Sequence, residues 1–285
     1  MEQFRIYLKE KELSPATIEK YVHDVAAFQK WAGEEDIAFT KEKLCGWKDY
    51  LLSQNYAAAT INAALAAMNA YADFMQKPEY RLKYVRTQRS NFIKAERQLT
   101  KAEYEKLIHT ARSEGRERLA MIMETIGSTG MRISELQYVT VESVLCGSLH
   151  IRLKGKDRLI LLPNRLCKKL KKYMKQNQIL SGIIFKTRCG TPIGRKQIWA
   201  EMKRLCETAG VEADKVFPHN LRHLFARMFF KVSGNIAELA DVLGHSSIET
   251  TRIYLRETGQ EHRRKVNGKP HTWSKKSAAL AGGQC

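Results

Sequence analysis

Apolar runs long enough to cross a membrane are missing from this 285-residue chain. No stretch of about 18 apolar residues occurs and no lipidation motif is visible, so no membrane association is expected. The opening residues, MEQFRIYLKEKELS, lack the apolar core of a secretory leader, which makes the cytoplasm the expected compartment. The six cysteines, Cys45, Cys146, Cys167, Cys189, Cys206 and Cys285, include no pair at CxxC spacing. That argues against a zinc knuckle or redox motif and leaves reduced packing thiols. Clustered carboxylates are missing as well, so no metal is expected, and no internal repeat is visible. Acidic residues are outnumbered, 30 against 49 Lys+Arg, for a net charge of +19. The excess is uneven: residues 1–95 hold 14 basic and 12 acidic side chains, and residues 96–285 hold 35 and 18. A field of that sign attracts polyanions and speeds their encounter.

What is present is enough for two domains, at about 100–200 residues each, with 44% hydrophobic residues to fill their cores. The first 80 or so residues read as helices. Ser14-Pro15 supplies a cap and a proline at the first helical position. Ile18, Tyr21, Val22, Val25 and Phe28 then recur at helical spacing up to Gly33. A second helix is predicted over 40–54, with Leu44, Trp47, Leu51 and Leu52 on one side, and an alanine-rich third over 58–75. Residues 81–98 read as a basic linker with interleaved aromatics, carrying Arg81, Lys83, Arg86 and Arg89. It could be a strap along phosphates or a solvated connector.

A second domain is predicted over 99–260, followed by a basic tail over 261–285. Thr100-x-x-Glu103 is a capping box. A helix from about Arg116 is expected to stop at Gly127. Leu149, Ile151 and Leu153 alternate with polar residues, Lys154 to Asp157 turn the chain, and Arg158 to Leu162 return it as a hairpin. Helices are predicted over 164–176, 195–209, 218–232, 236–243 and 248–258. The fold class is therefore mainly α with a small antiparallel β-sheet.

Six residues lie in order within TGMRISEL, LKGKDR, HNLRH and LGHSSIETTRIY: Arg132, Lys154, His219, Arg222, His245 and Tyr254. Fixed cations, two histidines and a tyrosine can make a site that attacks a phosphodiester without metal. In HNLRHLFARMFF, Leu221, Leu224, Phe225, Met228 and Phe229 form one apolar face. His219 and His223 point roughly opposite it, and Arg222 lies at its edge. A His/Arg pair near a helix start can seat a phosphate, though such a pair is more often a solvated face. Arg132 is read as opening a helix, where its charge opposes the helix dipole and suggests a bound anion. Glu135, at i+3, can hold the guanidinium, and a plain salt bridge is the alternative. Gly244 ends a helix, His245 follows in the turn, and Ser246-x-x-Glu249 is read as a capping box. Ile248 and Leu255 can share a buried face, while Tyr254 by itself is ordinary half-buried packing. Lys154 and Lys156 sit on a turn, where lysines are common surface residues.

In this order, TGMRISEL, HNLRH and LGHSSIETTRIY resemble the tyrosine recombinases, the phage integrase and Xer-like family. LSPATIEKYVHDVAAFQKWAG and ATINAALAAMNAYADFM resemble that family's helical, SAM-like core-binding domain (1–80), and residues from Leu99 its mixed α/β catalytic domain. The resemblance implies site-specific cutting and rejoining of double-stranded DNA through a 3′-phosphotyrosine, without cofactor. It implies a cytoplasmic, nucleoid-associated enzyme that is a tetramer on paired sites and a monomer off DNA. Arg132 and Arg222 match the phosphate clamp and Tyr254 the nucleophile. His219 and His245 match the flanking pair, one taking the tyrosine proton and the other bonding phosphoryl oxygens. Lys154 matches the hairpin lysine that protonates the leaving 5′ oxygen. The family's GKGxKxR pattern is a residue longer, so Lys156 is a rival. Glu135 matches a supporting acid. Arg195, Lys196, Lys203 and Arg204, on the predicted 195–209 helix, are available for groove contacts. A type IB topoisomerase shares this chemistry, and a DNA-binding protein with a dead site is the alternative of another class. No arm-site domain precedes the helical domain, which suits a simple Xer-sized enzyme.

Overall fold

The computed structural model describes residues 1–33, 39–86, 98–153, 156–245 and 247–255. The chain forms two compact units, Met1–Arg89 and Ser90–Cys285.

In the first unit, α1 (Glu2–Glu10), α2 (Pro15–Ala32), α3 (Lys41–Ser53) and α4 (Ala58–Phe74) enclose a core that includes Phe4, Val25, Phe28, Leu44, Leu65 and Met68. Helix α2 starts where its cap predicts: the Ser14 hydroxyl accepts from the Thr17 N–H at 3.3 Å and Pro15 follows. Thr40 caps α3 in the same way. Leu44, Trp47 and Leu51 of α3 turn inward, whereas Leu52, expected beside them, is exposed. The alanines of α4 let it pack closely on α2.

Residues 81–86 are not a free connector. Asn62 and Asn69, two turns apart on α4, each exchange a pair of hydrogen bonds with this extended segment. The Val85 N–H donates to Asn62 Oδ1 at 2.8 Å and Asn62 Nδ2 donates to Val85 O at 3.0 Å; Asn69 does the same with Leu82 at 2.8 and 3.1 Å. Leu82 is buried, and Arg81 forks onto Asp73 at 2.7 and 2.5 Å.

In the second unit, α5 (Lys101–Ser113) opens with its predicted capping box. Helix α6 (Glu117–Thr129) is buried at every position from Leu119 to Ile126, as suits a helix at the centre of a domain. It does not stop at Gly127. That glycine is needed for packing: a Cβ there would lie 2.5 Å from the Tyr104 hydroxyl. The helix ends at Gly130, left-handed at φ 64°, where a Cβ would lie 2.3 Å from the Phe225 ring. A 3₁₀ segment (Ile133–Tyr138) and α7 (Val141–Cys146), neither delimited from sequence, lead to the hairpin of β1 (Ser148–Leu153) and β2 (Lys156–Leu161). Its register pairs Leu153 with Lys156 and Ile151 with Arg158, so Lys156 and Asp157 belong to the second strand, not the turn. Leu149, Ile151 and Ile160 face the core.

Helices α8 (Asn164–Gln176), α9 (Arg195–Ala209), α10 (Pro218–Ser233), α11 (Ile236–Leu243) and α12 (Ile248–Arg252) complete the unit. Ser247, not Ser246, caps α12, and Ile248 is exposed rather than buried. The chain then tightens into a 3₁₀ turn, Ile253–Leu255. Among the described residues, no helix is long and apolar enough to cross a membrane.

Candidate active site

The N-terminal half of α10 is the floor of the site. Leu221 and Leu224 face the core as the apolar period predicts, but Met228 is exposed. The larger departure is Arg222, which lies in the interior at 1% exposure instead of at the edge of the apolar face. Burying a guanidinium is costly unless its donors are answered. Here Nη1 donates to Gly130 O at 2.6 Å, and Nη2 donates to Leu243 O at 2.7 Å and to His245 Nε2 at 2.8 Å. Its Nε is buried and meets no acceptor among the described residues. Burial, then the nearby Arg132, pushes its pKa down to about 10, so it stays charged at neutral pH.

Arg132 does not open an α-helix. It is the extended cap residue of the 3₁₀ segment. The anion that answers this end is Glu135, whose Oε2 accepts from the Arg132 N–H at 2.7 Å and whose Oε1 accepts from Arg132 Nη1 at 3.1 Å. The local conflict is thus met inside the chain. The Arg132 side chain remains 45% exposed, and its Nη2 sits 3.5 Å from Gly244 O. Glu135, at 3% side-chain exposure, also takes Arg158 Nη1 at 2.8 and 2.9 Å.

His245 stands in the turn after α11, where left-handed Gly244 lets the chain reverse. An arginine only donates. His245 Nε2 must therefore accept from Arg222, and the ring proton lies on Nδ1, which donates to Thr251 Oγ1 at 2.9 Å. Thr251 is fully buried. Burial, followed by Arg222, Arg132 and Arg158, pushes the His245 pKa down to about 4, so the ring is neutral at pH 7.

Tyr254 joins a small core with Ala226, Leu239 and Leu243, beside Phe225, Phe229 and Leu255. It is 6% exposed. Its hydroxyl lies 3.5 Å from His219 Nε2, and its ring lies 4.1 Å from the ring of His223, 5.2 Å from that of His245 and 5.9 Å from Arg222 Cζ. His219 and His223 therefore face residue 254, with His219 still exposed to solvent and His223 half-buried. The His219 pKa is lowered by burial and by Arg222, Arg132 and Arg195. That of His223 is pushed down to about 4, chiefly by burial.

A cleft of about 420 Å³ opens in front of these groups, lined by Arg132, Arg195, Trp199, Phe217, His219 and Arg222. Tyr254 does not line it. The ring borders a separate space of about 130 Å³ with His223 and Leu224. Of the α9 basic residues, Arg195 lines the cleft, and Lys196 and Arg204 are exposed. Lys203 turns back to Ala213 O and over the Trp199 ring. Lys83 and Arg86 are exposed on the segment held to α4. Lys154, Arg89 and the tail after 260 lie outside the described residues, as does the side chain of Lys156. Arg158, His223 and Thr251 were missed from sequence. Arg158 was legible only as a third cation near the turn, and His223 only as a neighbour of Arg222.

A buried arginine fork, a second, accessible arginine, two neutral histidines and a tyrosine on one chain can hold an anion with a phenol beside it. Residues 97–261 match the phage integrase family and residues 1–77 its N-terminal SAM-like domain. The chain belongs to the phage integrase family of tyrosine-type site-specific recombinases. It is 28% identical over 278 residues to the tyrosine recombinase XerA of Thermococcus kodakarensis, covering 94% of each chain. It is 23% identical over 262 residues to the tyrosine recombinase XerD of Vibrio cholerae, covering 86% of this chain and 87% of that one. In fold it is similar to a lambda integrase (75–356) dimer bound to a COC′ core site, with TM-score 0.70 and 19% identity over 91% of this chain and 95% of that one. XerH recombinase bound to palindromic difH gives TM-score 0.68 and 20% identity over 88% and 79%.

Proposed function

We propose that Tyr254 is the nucleophile of this recombinase and that Arg132 and Arg222 seat the scissile phosphate of double-stranded DNA. The observation that carries this reading is the 3.5 Å approach of the Tyr254 hydroxyl to the imidazole of His219, beside a charged and buried Arg222, all within one chain. His219 takes the phenolic proton: its Nε2 meets the hydroxyl at 3.5 Å, and its lowered pKa keeps its ring nitrogen free at neutral pH. The Tyr254 oxygen bonds to phosphorus, and the bond from phosphorus to the 5′ oxygen breaks. Lys154 or Lys156 protonates that oxygen, leaving a 3′-phosphotyrosine and a free 5′-hydroxyl. The bond energy is conserved in the ester, so a second 5′-hydroxyl reverses the step and joins a new strand without ATP.

His245 supports the clamp through Arg222. Tyr254 does not itself line the cleft, but its hydroxyl lies 3.5 Å from His219, which does, so the phenol reaches the phosphate seat beside that imidazole. Basic residues of the linker and of α9 (Arg81, Lys83, Arg86, Arg89, Arg195, Lys196, Lys203 and Arg204) hold flanking DNA. Arg81 and Lys203 must first release their present partners. One solved relative in fold is a lambda integrase tetramer bound to a Holliday junction. By that likeness this chain assembles as a tetramer on paired sites, and it is a monomer off DNA, acting on DNA inside the cell.

The test uses a pool of nicked duplexes with randomised cores, so that no target need be known beforehand. Wild type should leave a 3′-phosphotyrosine adduct recoverable with its DNA, and Tyr254→Phe should bind equally and leave none. An adduct in Tyr254→Phe, or binding without any adduct in wild type, overturns the reading.

A further inference from the structure

Three arginines of like charge meet around one short helix end. In a helix the last carbonyls lack intrahelical partners. At the end of α11 the left-handed turn answers two of them: the Gly244 N–H donates to Asp241 O and the His245 N–H to Ala240 O, each at 2.9 Å. The next three carbonyls go to three different arginines. Val242 O accepts from Arg158 Nη2 at 2.8 Å, Leu243 O from Arg222 Nη2 at 2.7 Å, and Gly244 O lies 3.5 Å from Arg132 Nη2. The negative end of a helix dipole thus stands where the cations converge. Arg158 differs from the other two. Its side chain is only 11% exposed, it does not line the cleft, and it forks onto Glu135, the carboxylate that holds Arg132. Its course depends on Gly244, where a Cβ would fall 2.5 Å from Arg158 Cδ and 2.6 Å from its Nε.

We infer that Arg158 is a positioning residue of the recombination reaction: it ties Glu135 to the end of α11 and thereby fixes Arg132 and the His245 turn about the phosphate position. This deepens the reading of Arg132 as a phosphate clamp and rests on it. Arg158 borders a neighbouring space with Arg132 and His245 rather than the cleft itself, and its part in the reaction is to hold Glu135. It fixes the distance between the 3₁₀ segment that carries Arg132 and the helix end that carries Leu243, Gly244 and His245. Without it, Glu135 keeps Arg132, but Val242 O loses its donor and Glu135 loses its tie to α11, leaving Arg222 between Gly130 O and Leu243 O and the 3.5 Å approach of Arg132 to Gly244 O as the remaining links.

The test compares Arg158→Gln with wild type in single-turnover cleavage on saturating DNA. One substrate carries an ordinary scissile phosphodiester. The other carries a methylphosphonate there, in which a methyl group replaces one charged oxygen and relieves the need for a well-placed arginine. Arg158→Gln should slow cleavage of the phosphodiester by about tenfold to a hundredfold, in line with losing the aim of one preplaced donor. DNA affinity should be unchanged, and the gap should narrow on the methylphosphonate. The double variant Glu135→Gln/Arg158→Gln removes the buried carboxylate together with its partner. It should regain thermal stability without regaining cleavage. Equal slowing on both substrates, cleavage at the wild-type rate, or recovery of cleavage along with stability in the double variant overturns the inference. Failure of the parent reading looks different: wild type itself then forms no Tyr254 adduct on either substrate.

Discussion

Replacing Arg222 by lysine keeps the charge and removes the fork. In the structure the guanidinium holds three acceptors from two terminal nitrogens: Gly130 O at 2.6 Å, Leu243 O at 2.7 Å and His245 Nε2 at 2.8 Å. A single ammonium nitrogen cannot occupy both ends of that fork. At least one buried acceptor then loses its donor, at about 1–3 kcal/mol of stability for each. The larger effect falls on the transition state, where negative charge grows on phosphoryl oxygens. Losing one preplaced donor typically costs ~3–4 kcal/mol there, which is about 10²–10³ in rate. Binding should respond quite differently. In the proposed reading Arg222 addresses one phosphate among many, and lysine conserves the number of cations, so both the affinity and its steep salt dependence should stay near wild type. The assay is single-turnover cleavage on saturating nicked duplex, with binding measured across a salt series and stability by urea denaturation. Cleavage by Arg222→Lys within about threefold of wild type would mean that charge without geometry suffices. A parallel fall in rate and affinity would equally refute the assigned role.

The half-buried histidines make stability fall with acid. The ordinary pKa of 6.5 is pushed to about 4 at His223 and His245, so between those values the unfolded chain binds protons that the folded chain does not. Their contribution is whole above pH 6.5, is lost progressively as pH falls towards 4, and is flat below that. Urea midpoints measured across this window should show the slope, and His223→Gln should flatten it. Thr251→Val removes the acceptor of the His245 Nδ1 proton at 2.9 Å. Cleavage should fall by about tenfold, the rate equivalent of ~1.4 kcal/mol, while Thr251→Ser stays near wild type; equal loss in both variants argues against a tautomer lock. Gly130→Ala drives a methyl to 2.3 Å from the Phe225 ring at a φ of 64°. Overpacking and left-handed strain together should lower unfolding stability by about 2–5 kcal/mol, and an unchanged urea midpoint would show that the site relaxes freely.

Local signals were legible from the chain alone because they act within a few residues. The Ser14, Thr40 and Thr100 caps start helices where their side chains reach the next N–H groups. The alternation of Leu149 and Ile151 set the first strand, and Gly244 marked the end of α11. The motif residues Arg132, Glu135, His219, Arg222, His245 and Tyr254 could be named in order, and the structure brings these six together. Errors arose where one rule stood for two causes. Glycine often ends helices, which makes Gly127 look like a stop, yet its missing side chain serves a contact with Tyr104. Met228 and Ile248 keep apolar spacing but remain 39% and 48% exposed.

The amino-acid order by itself determined which side chains this protein has for holding a phosphate, and roughly which local elements carry them. Tertiary structure alone decided that Arg222 is interior, that His223 lies against Tyr254, and that Arg158 belongs to the site. Helical periodicity describes one element at a time, whereas the far face of α10 is covered by α11 and by residues 253–255, arriving from later in the chain. The partners of all three arginines include backbone carbonyls at the end of α11, and a carbonyl looks the same in every residue. Only the folded path of the chain says where it points.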